Sequence, residues 1–265
     1  MKSLLLSLLI VFLSGCSTFP KDAFPGQKGC YLLFNMKTQE IVKETGTTCR
    51  ERFVASSTFK VPLAIMAFDS GVLKSPEETY KWNGVKHEIG GWNSDQNART
   101  WMKQSVVWFS QELTPKIGEE RIQKYLKDFR YGNQDLKGGL KHAWLHSPSK
   151  TEPSLKISPY EQMEFMNALW SNKLPVSPRA LEITKELIFI ETTPGGFRFS
   201  GKTGSNSYAT KDVQLGWFIA HVSKGEEEYI AVMNFSDLRP SAEKNYGGPR
   251  ARAKMIALLK HQKLW

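Results

Sequence analysis

A short apolar stretch with two polar residues at its front constrains this sequence most. Residues 61–68 are almost wholly apolar, so a helix there must be buried on all sides. Ser57 and Lys60 lie just before this apolar stretch. They are three residues apart, which puts both side chains on one face of a helix's first turn. A hydroxyl and an amine at the polar end of a buried helix suit a nucleophile and its base. A capping Ser and a Lys that extends to solvent would give the same pattern, so the stretch alone establishes no function.

The N-terminus predicts an export signal. Lys2 is followed by an apolar run over residues 4–13, shorter than the ~18 residues that a membrane-spanning helix needs. The run ends in Leu-Ser-Gly before Cys16, which resembles the bacterial lipoprotein processing site, where the Cys is lipidated. Simple cleavage and release is the alternative. We therefore expect residues 1–15 to be a signal peptide, and a periplasmic protein tethered to the membrane through lipidated Cys16.

Charge and cysteine content narrow the function further. The formal net charge is +10, but the basic residues are spread out, without the dense basic and aromatic cluster of a nucleic-acid-binding protein. The charge fits small anionic substrates, an anionic membrane surface or simply a solvated surface. If Cys16 carries lipid, Cys30 and Cys49 remain, either as a disulfide in an oxidising compartment or as free buried thiols.

Patterns along the rest of the chain predict an α/β fold of the α+β type. After a linker over residues 16–27, one domain covers residues 28–265. Its predicted strands are residues 30–36, 40–44, 196–205, 214–223 and 228–236. Its predicted helices include residues 118–129, 159–171, 178–190 and 249–260. Strands at both ends predict one antiparallel sheet flanked by helices, with an inserted all-helical subdomain over residues 70–190 and a cleft between the two parts.

Several short motifs follow the first stretch in a distinctive order. They are Ser57-Thr58-Phe59-Lys60, Ser105-Val106-Val107, Tyr131-Gly132-Asn133, Trp144-Leu145 and Lys202-Thr203-Gly204. Ser-x-x-Lys with a later Lys-Thr-Gly is the pattern of the penicillin-interacting serine enzymes. Penicillin-binding proteins and class A enzymes have Asn where this chain has Val107. From about residue 29 to the C-terminus, the chain resembles the class D, or oxacillinase (OXA-type), β-lactamases.

The resemblance implies the penicillin-recognising serine transferase/hydrolase fold and hydrolysis of β-lactams, penicillins and oxacillin-type drugs, through an acyl group on Ser57. It implies no metal and no cofactor except CO₂, bound covalently as a carbamate that makes Lys60 an N6-carboxylysine and the general base. An apolar pocket would lower the pKa of Lys60 and leave an amine that can add CO₂. Val107 and Leu145 are expected to line this pocket, and Trp144 to hold the carbamate through its indole N–H.

The resemblance also assigns the charged residues and a proton relay. Ser105 is expected to pass a proton to the leaving β-lactam nitrogen, near Lys202, although a plain loop or capping Ser fits the sequence too. Lys202 is expected to be a fixed positive charge for the substrate carboxylate. Arg250 resembles the family's carboxylate-binding arginine, with Arg239 and Arg252 as alternatives.

The remaining motif residues concern the substrate and the scaffold. Thr203 is expected to donate from its hydroxyl, and Gly204 to let the substrate approach the backbone. The backbone N–H groups of Ser57 and Ser205 should form the oxyanion hole. Tyr131 is interpreted as structural.

Two other functions share these motifs. A β-lactam sensor domain would be acylated without deacylating, but such sensors are usually attached to a multi-span membrane protein. A cell-wall carboxypeptidase or transpeptidase is disfavoured by Val107. His142 and His146 are spaced i, i+4 without Cys or acidic companions, which argues against zinc. The segment over residues 146–153 is longer than usual for the family, so the substrate range stays open, as does the choice between monomer and dimer.

Overall fold

A computed structural model describes residues 23–145, 154–207, 213–239 and 245–265. The predicted signal peptide, Cys16 and the segment 146–153 lie outside the described residues. The strands are β1 (Gln27–Asn35), β2 (Glu40–Gly46), β3 (Phe53–Val54), β4 (Lys156–Ile157), β5 (Phe189–Thr192), β6 (Arg198–Ser207), β7 (Gln214–Lys224) and β8 (Glu227–Asp237). The helices are α1 (Lys60–Asp69), α2 (Ala98–Gln104), α3 (Val107–Ile117), α4 (Glu119–Asp128), α5 (Pro159–Trp170), α6 (Pro178–Leu187) and α7 (Gly247–His261).

Six strands form one antiparallel sheet in the order β2-β1-β8-β7-β6-β5. β1 pairs with β8 from Gln27 opposite Asp237 to Asn35 opposite Tyr229, so the first and last strands of the chain are neighbours. This confirms the predicted fold class and the sheet built from both chain ends. The prediction of a helix through residue 190 was wrong at its end, because α6 ends at Leu187 and the next residues form β5.

Both faces of the sheet are covered. α7 packs on the face that presents Tyr31, Phe199, Phe218 and Phe235. The opposite face presents Leu32, Trp217, Ile219 and Val232 to a larger core that includes the apolar side chains of α1, α3 and α5. α1 is buried along almost its whole length, as its uninterrupted apolar sequence predicts.

Cys30 and Cys49 form a disulfide, which decides between the two alternatives that the sequence leaves open. Cys30 lies on β1, and Cys49 lies in the segment that leads to β3 and α1. The bond therefore ties β1, the second strand of the sheet, to the chain that enters the buried helix. Among the described residues, no helix is long and apolar enough to cross a membrane.

Candidate active site

Ser57 and Lys60 meet where α1 begins. Ser56–Phe59 form a 3₁₀ turn, called here the serine turn, and α1 continues directly from it. Lys60 Nζ donates to Ser57 Oγ over 3.0 Å. Lys60 is completely buried, and this burial holds its pKa well below the ordinary lysine value, with the nearby charge of Lys202 lowering it further. Burial therefore favours the neutral amine, the form that can act as a base or add CO₂.

The geometry separates Ser57 from its neighbour Ser56. Ser56 has φ 52°, a left-handed conformation that is uncommon for a residue with a side chain. Its side chain is buried, and Oγ donates to the carbonyl oxygen of Val54 over 3.4 Å. Ser57 is only half-buried, and it is the hydroxyl in contact with the lysine. The structure thus points to Ser57 as the candidate nucleophile.

A second hydroxyl–amine pair lies between α2 and β6. Lys202 Nζ donates to Ser105 Oγ over 3.0 Å, although the two residues are far apart in the chain. Ser105 caps the C-terminus of α2 with φ 59°. Burial lowers the pKa of Lys202 to about 7. The role of Lys202 as the positive charge for the substrate carboxylate stays a prediction.

Trp144 is buried, and its ring packs on Phe59 with centroids 5.0 Å apart. Its indole Nε1–H is also buried, and no acceptor for it exists in the described part of the chain. A buried donor without a partner costs about 1–3 kcal/mol and calls for an explanation. Val107, the first residue of α3, and Leu145, directly after Trp144, are half-buried; their contact with the Lys60 pocket stays a prediction.

β6 presents an open edge beside the serine turn. β5 pairs with β6 only as far as Ser200, and the Gly201 N–H donates to the Ile188 carbonyl over 2.7 Å. Because N–H groups two residues apart in a strand point the same way, the Thr203 and Ser205 N–H groups face this open edge. This orientation fits the predicted oxyanion hole. The Ser205 hydroxyl accepts a bond from the Gly248 N–H of α7 over 2.8 Å. That the Ser205 backbone N–H binds substrate stays a prediction.

Gly204 serves a close contact within the protein. A Cβ at this position would lie 3.1 Å from Thr58 Cγ2, 3.1 Å from Trp217 Cβ and 3.3 Å from Ser56 Cβ. Gly204 thus lets β6 approach the serine turn; that it also lets the substrate approach the backbone stays a prediction. Thr203 is half-buried, and its hydroxyl lies 3.4 Å from Lys202 Nζ.

Arg250 is held by a buried ion pair. Its guanidinium makes two bonds to the Asp237 carboxylate, over 2.9 and 3.1 Å, and both side chains are buried. Asp237 lies on β8, two strands away from Lys202 on β6. That Arg250 binds the substrate carboxylate stays a prediction: an internal acid holds its guanidinium, and the Gly248 N–H, two residues before it, donates to Ser205 of the site. Of the alternatives, Arg252 pairs with Glu191 and Arg239 is exposed.

Two residues behind the site carry contacts that sequence reasoning overlooked. Gln162 on α5 is buried and donates to the Thr58 hydroxyl over 2.8 Å. Tyr131 is buried beside them, and its ring contacts those of Phe59 and Phe165, in keeping with a structural role. A polar Gln on the apolar side of a predicted helix was the available signal for Gln162.

Known proteins share both the sequence and the fold. A profile of the penicillin binding protein transpeptidase domain matches residues 29–259. The β-lactamase OXA-1 of Escherichia coli is 39% identical over 224 residues, covering 82% of this chain and 79% of that protein. OXA-48 of Klebsiella pneumoniae is 34% identical over 208 residues, covering 78% and 75%. The solved structure of a class D β-lactamase from Bacillus subtilis has a TM-score of 0.80 at 29% identity, covering 92% of this chain and 94% of that one. The class D enzyme OXA-427 gives 0.78 at 33% identity, covering 89% and 98%.

The matched domain, the sheet built from both chain ends and the cluster at Ser57 define a member of the penicillin-interacting enzymes. Within them, the chain belongs to the class D β-lactamases and hydrolyses β-lactams. Class D β-lactamases need no metal cofactor. The described residues also contain no group of three or more His, Cys, Asp or Glu side chains suited to a metal ion.

Proposed function

We propose that β-lactam hydrolysis proceeds through an acyl group on Ser57, with carboxylated Lys60 as the general base. The observation that carries the proposal is the 3.0 Å contact between Lys60 Nζ and Ser57 Oγ, in which the lysine is wholly buried. A serine hydroxyl attacks an amide efficiently only when a base removes its proton. Lys60 is within hydrogen-bond distance of this hydroxyl. Burial lowers its pKa, so the neutral amine that can act as a base is favoured.

The buried indole of Trp144 supports the carbamate. CO₂ held on the Lys60 amine supplies a carboxylate-like oxygen, which can accept a hydrogen bond and a proton. The Trp144 Nε1–H has no acceptor among the described residues, and its ring packs on Phe59, the residue before Lys60. An acceptor placed there would satisfy this donor. The residues present therefore fit the modification.

The remaining groups divide the steps of acylation. Ser57 Oγ attacks the β-lactam carbonyl carbon, and its proton moves to the base at position 60. The developing oxyanion accepts from the backbone N–H groups of Ser57 and Ser205. As the ring C–N bond breaks, the nitrogen takes a proton through Ser105, which accepts a hydrogen bond from Lys202. Lys202, when protonated, attracts the substrate carboxylate.

Deacylation needs the same base a second time, after the proton that it took from Ser57 has passed to solvent and Ser105 and Lys202 have regained from solvent the proton given to the nitrogen. A water attacks the acyl carbon and gives its proton to the base, and Ser57 Oγ leaves with a proton returned to it. Hydrolysis of the acyl group distinguishes a β-lactamase from a sensor or a transpeptidase. In those proteins the acyl group formed with penicillin persists.

Mass spectrometry after mixing with penicillin tests the mechanism. We expect an adduct on the peptide containing Ser57 that disappears as product accumulates. Ser57→Ala should form no adduct while remaining folded. Ser56→Gly is the matched control, because Gly adopts the left-handed conformation freely, and it should still be acylated. An adduct that persists for hours, or one formed by Ser57→Ala, would overturn the proposal.

We also propose that the protein is exported to the periplasm and tethered through lipid on Cys16, a position outside the described residues. The support is the sequence pattern alone, an apolar run ending at Leu-Ser-Gly-Cys. Wild type should fractionate with membranes, whereas Cys16→Ser should lose that association and keep its activity. A wild-type protein found wholly in the soluble periplasmic fraction would contradict the tether.

A further inference from the structure

A buried polar cluster lies beneath the serine turn. Gln162 Nε2 donates to Thr58 Oγ1 over 2.8 Å and lies 3.5 Å from Tyr131 Oη. Thr58 Oγ1 in turn donates to the carbonyl oxygen of Ala55 over 2.5 Å. Gln162, Thr58 and Tyr131 are all buried. Because buried polar groups need partners, these bonds fix the position of Thr58 from inside the protein.

Backbone pairing and an ion pair join the start of α5 to the segment before the serine turn. β3, just before the serine turn, pairs with β4, just before α5. The Ala55 N–H donates to the Leu155 carbonyl over 3.1 Å, and Arg52 forms an ion pair with Glu161 in the first turn of α5. The start of α5 is thus held at a set place relative to the serine turn. Gln162, the residue after Glu161, reaches the turn from that place.

Thr58 also connects the serine turn to β6. Its methyl carbon would lie only 3.1 Å from a Cβ at Gly204, so the turn and the strand are in close contact. Ser56 has φ 52°, a conformation that a side-chain-bearing residue keeps only where its surroundings hold it. A hydroxyl anchored on one side and a methyl packed on the other make Thr58 the residue that sets the position of the turn against β6.

We propose that Gln162 is a positioning residue for acylation. Its amide holds Thr58, and Thr58 keeps Ser57 aligned with β6, where Lys202 and the Ser205 N–H act. Gln162 reaches the reacting atoms only through Thr58. The inference rests on the proposed function, because it takes Ser57 as the nucleophile. A shift of the nucleophile by about 1 Å is enough to slow a reaction by up to about 100-fold.

Gln162→Met tests the proposal, because Met fills a similar volume but cannot donate to Thr58. Single-turnover mixing with a penicillin separates the acylation rate constant from the substrate dissociation constant. We expect the rate constant to fall by about 10-fold to 100-fold, with little change in the dissociation constant. Lys60 is untouched, so the response of the rate to bicarbonate should be kept.

Leu169→Ala is the matched control. Leu169 is also buried on α5, about two turns beyond Gln162, and its truncation leaves a cavity that lowers stability. A loss of stability alone reduces the fraction of protein that reacts, whereas misalignment reduces the rate constant of the fraction that does react. Leu169→Ala should therefore keep the wild-type acylation rate constant.

Thr58→Val tests the route through Thr58, because Val keeps the shape and removes the acceptor. If Gln162 acts through this hydroxyl, the double variant Gln162→Met/Thr58→Val should acylate no more slowly than Thr58→Val alone. Losses that multiply instead would show that Gln162 acts by another route and would overturn the proposal.

The outcomes with Ser57→Ala and Gln162→Met separate an error in the proposed mechanism from an error in the positioning role. If Ser57→Ala is still acylated, the proposed function itself fails. If Ser57 carries the adduct but Gln162→Met reacts at the wild-type rate, or slows no more than Leu169→Ala, only the positioning role is wrong.

Discussion

At the scale of single residues, the proposed role of Lys202 predicts how the site responds to pH. Lys202 is buried beside Ser105, and burial lowers its pKa to about 7. The amine is therefore protonated below that pH and loses its positive charge as pH rises through it. In the proposed mechanism, the substrate carboxylate then loses its cationic partner, and the leaving nitrogen loses a proton source.

We expect kcat/KM for a penicillin to fall as pH rises above about 7, where Lys202 becomes neutral. Lys202→Arg keeps its charge at alkaline pH, so this alkaline fall should disappear even though the maximal rate is lower. Lys224→Arg, an exposed lysine on β7, is the control and should keep the wild-type profile. A wild-type kcat/KM that stays constant on the alkaline side would contradict the role.

The sequence predicted the contacts of a residue well only when its partner is close to it along the chain. Ser57 and Lys60 are three residues apart, so helix geometry alone places them together. Ser105 and Lys202 are far apart in the sequence, so only the family resemblance predicted that they lie close together. The pair between Arg250 and Asp237 was not predicted, because the packing of α7 against the sheet brings the two residues together and no local pattern reveals it.

At the scale of elements, α5 shows how a helix start holds the site. The Ser158 side chain accepts from the Glu161 N–H, and Glu161 accepts from the Ser158 N–H, which is a complete capping box. Pro159 occupies the first helical position, where its missing N–H costs no helical bond. Gln162 follows directly, so the cap also fixes the residue that reaches the serine turn.

Ser158→Ala should lower the free energy of unfolding by about 1 kcal/mol, because the first turn of α5 loses its cap. Ser177→Ala is the matched control: Ser177 precedes Pro178 of α6 in the same way, but its side chain makes no capping bond. Urea unfolding of the two variants measures the difference. Equal losses of stability would show that the α5 cap contributes nothing.

The sequence missed β5, as it missed the two-residue strands β3 and β4. The apolar residues 187–190 continue the pattern of α6, so nothing local marks where the helix ends. The Gly201 N–H donates to the Ile188 carbonyl, and Phe189 pairs opposite Ser200. These backbone bonds come from another strand, and such non-local pairing overrides helical periodicity.

At the scale of the whole molecule, the two chain ends close the domain together. Asp237 at the end of β8 accepts from Gln27 at the start of β1 over 2.8 Å and from Arg250 on α7. Three elements from opposite ends of the chain therefore meet at one buried carboxylate. This is the role that the structure gives to Arg250.

Arg250→Ala should lower the free energy of unfolding by about 3–5 kcal/mol, because it leaves the Asp237 carboxylate buried without its main partner. Arg252→Ala, which breaks a half-exposed pair with Glu191, should cost about 0–1 kcal/mol. Denaturant unfolding checks both values. Loss of substrate affinity in Arg250→Ala without loss of stability would show instead that Arg250 binds the substrate carboxylate.

The central claim, that Lys60 acts as a carbamate, can be tested without turnover. NMR of the protein in ¹³C-bicarbonate should show a carbamate carbon resonance at neutral pH that fades on acidification, as the amine is protonated and CO₂ is released. Trp144→Phe should weaken the resonance, because the carbamate oxygen loses its indole donor. Lys60→Met should abolish it, even though Lys202 remains as a second buried amine. A wild-type protein without the resonance, or a resonance that survives in Lys60→Met, would contradict the account.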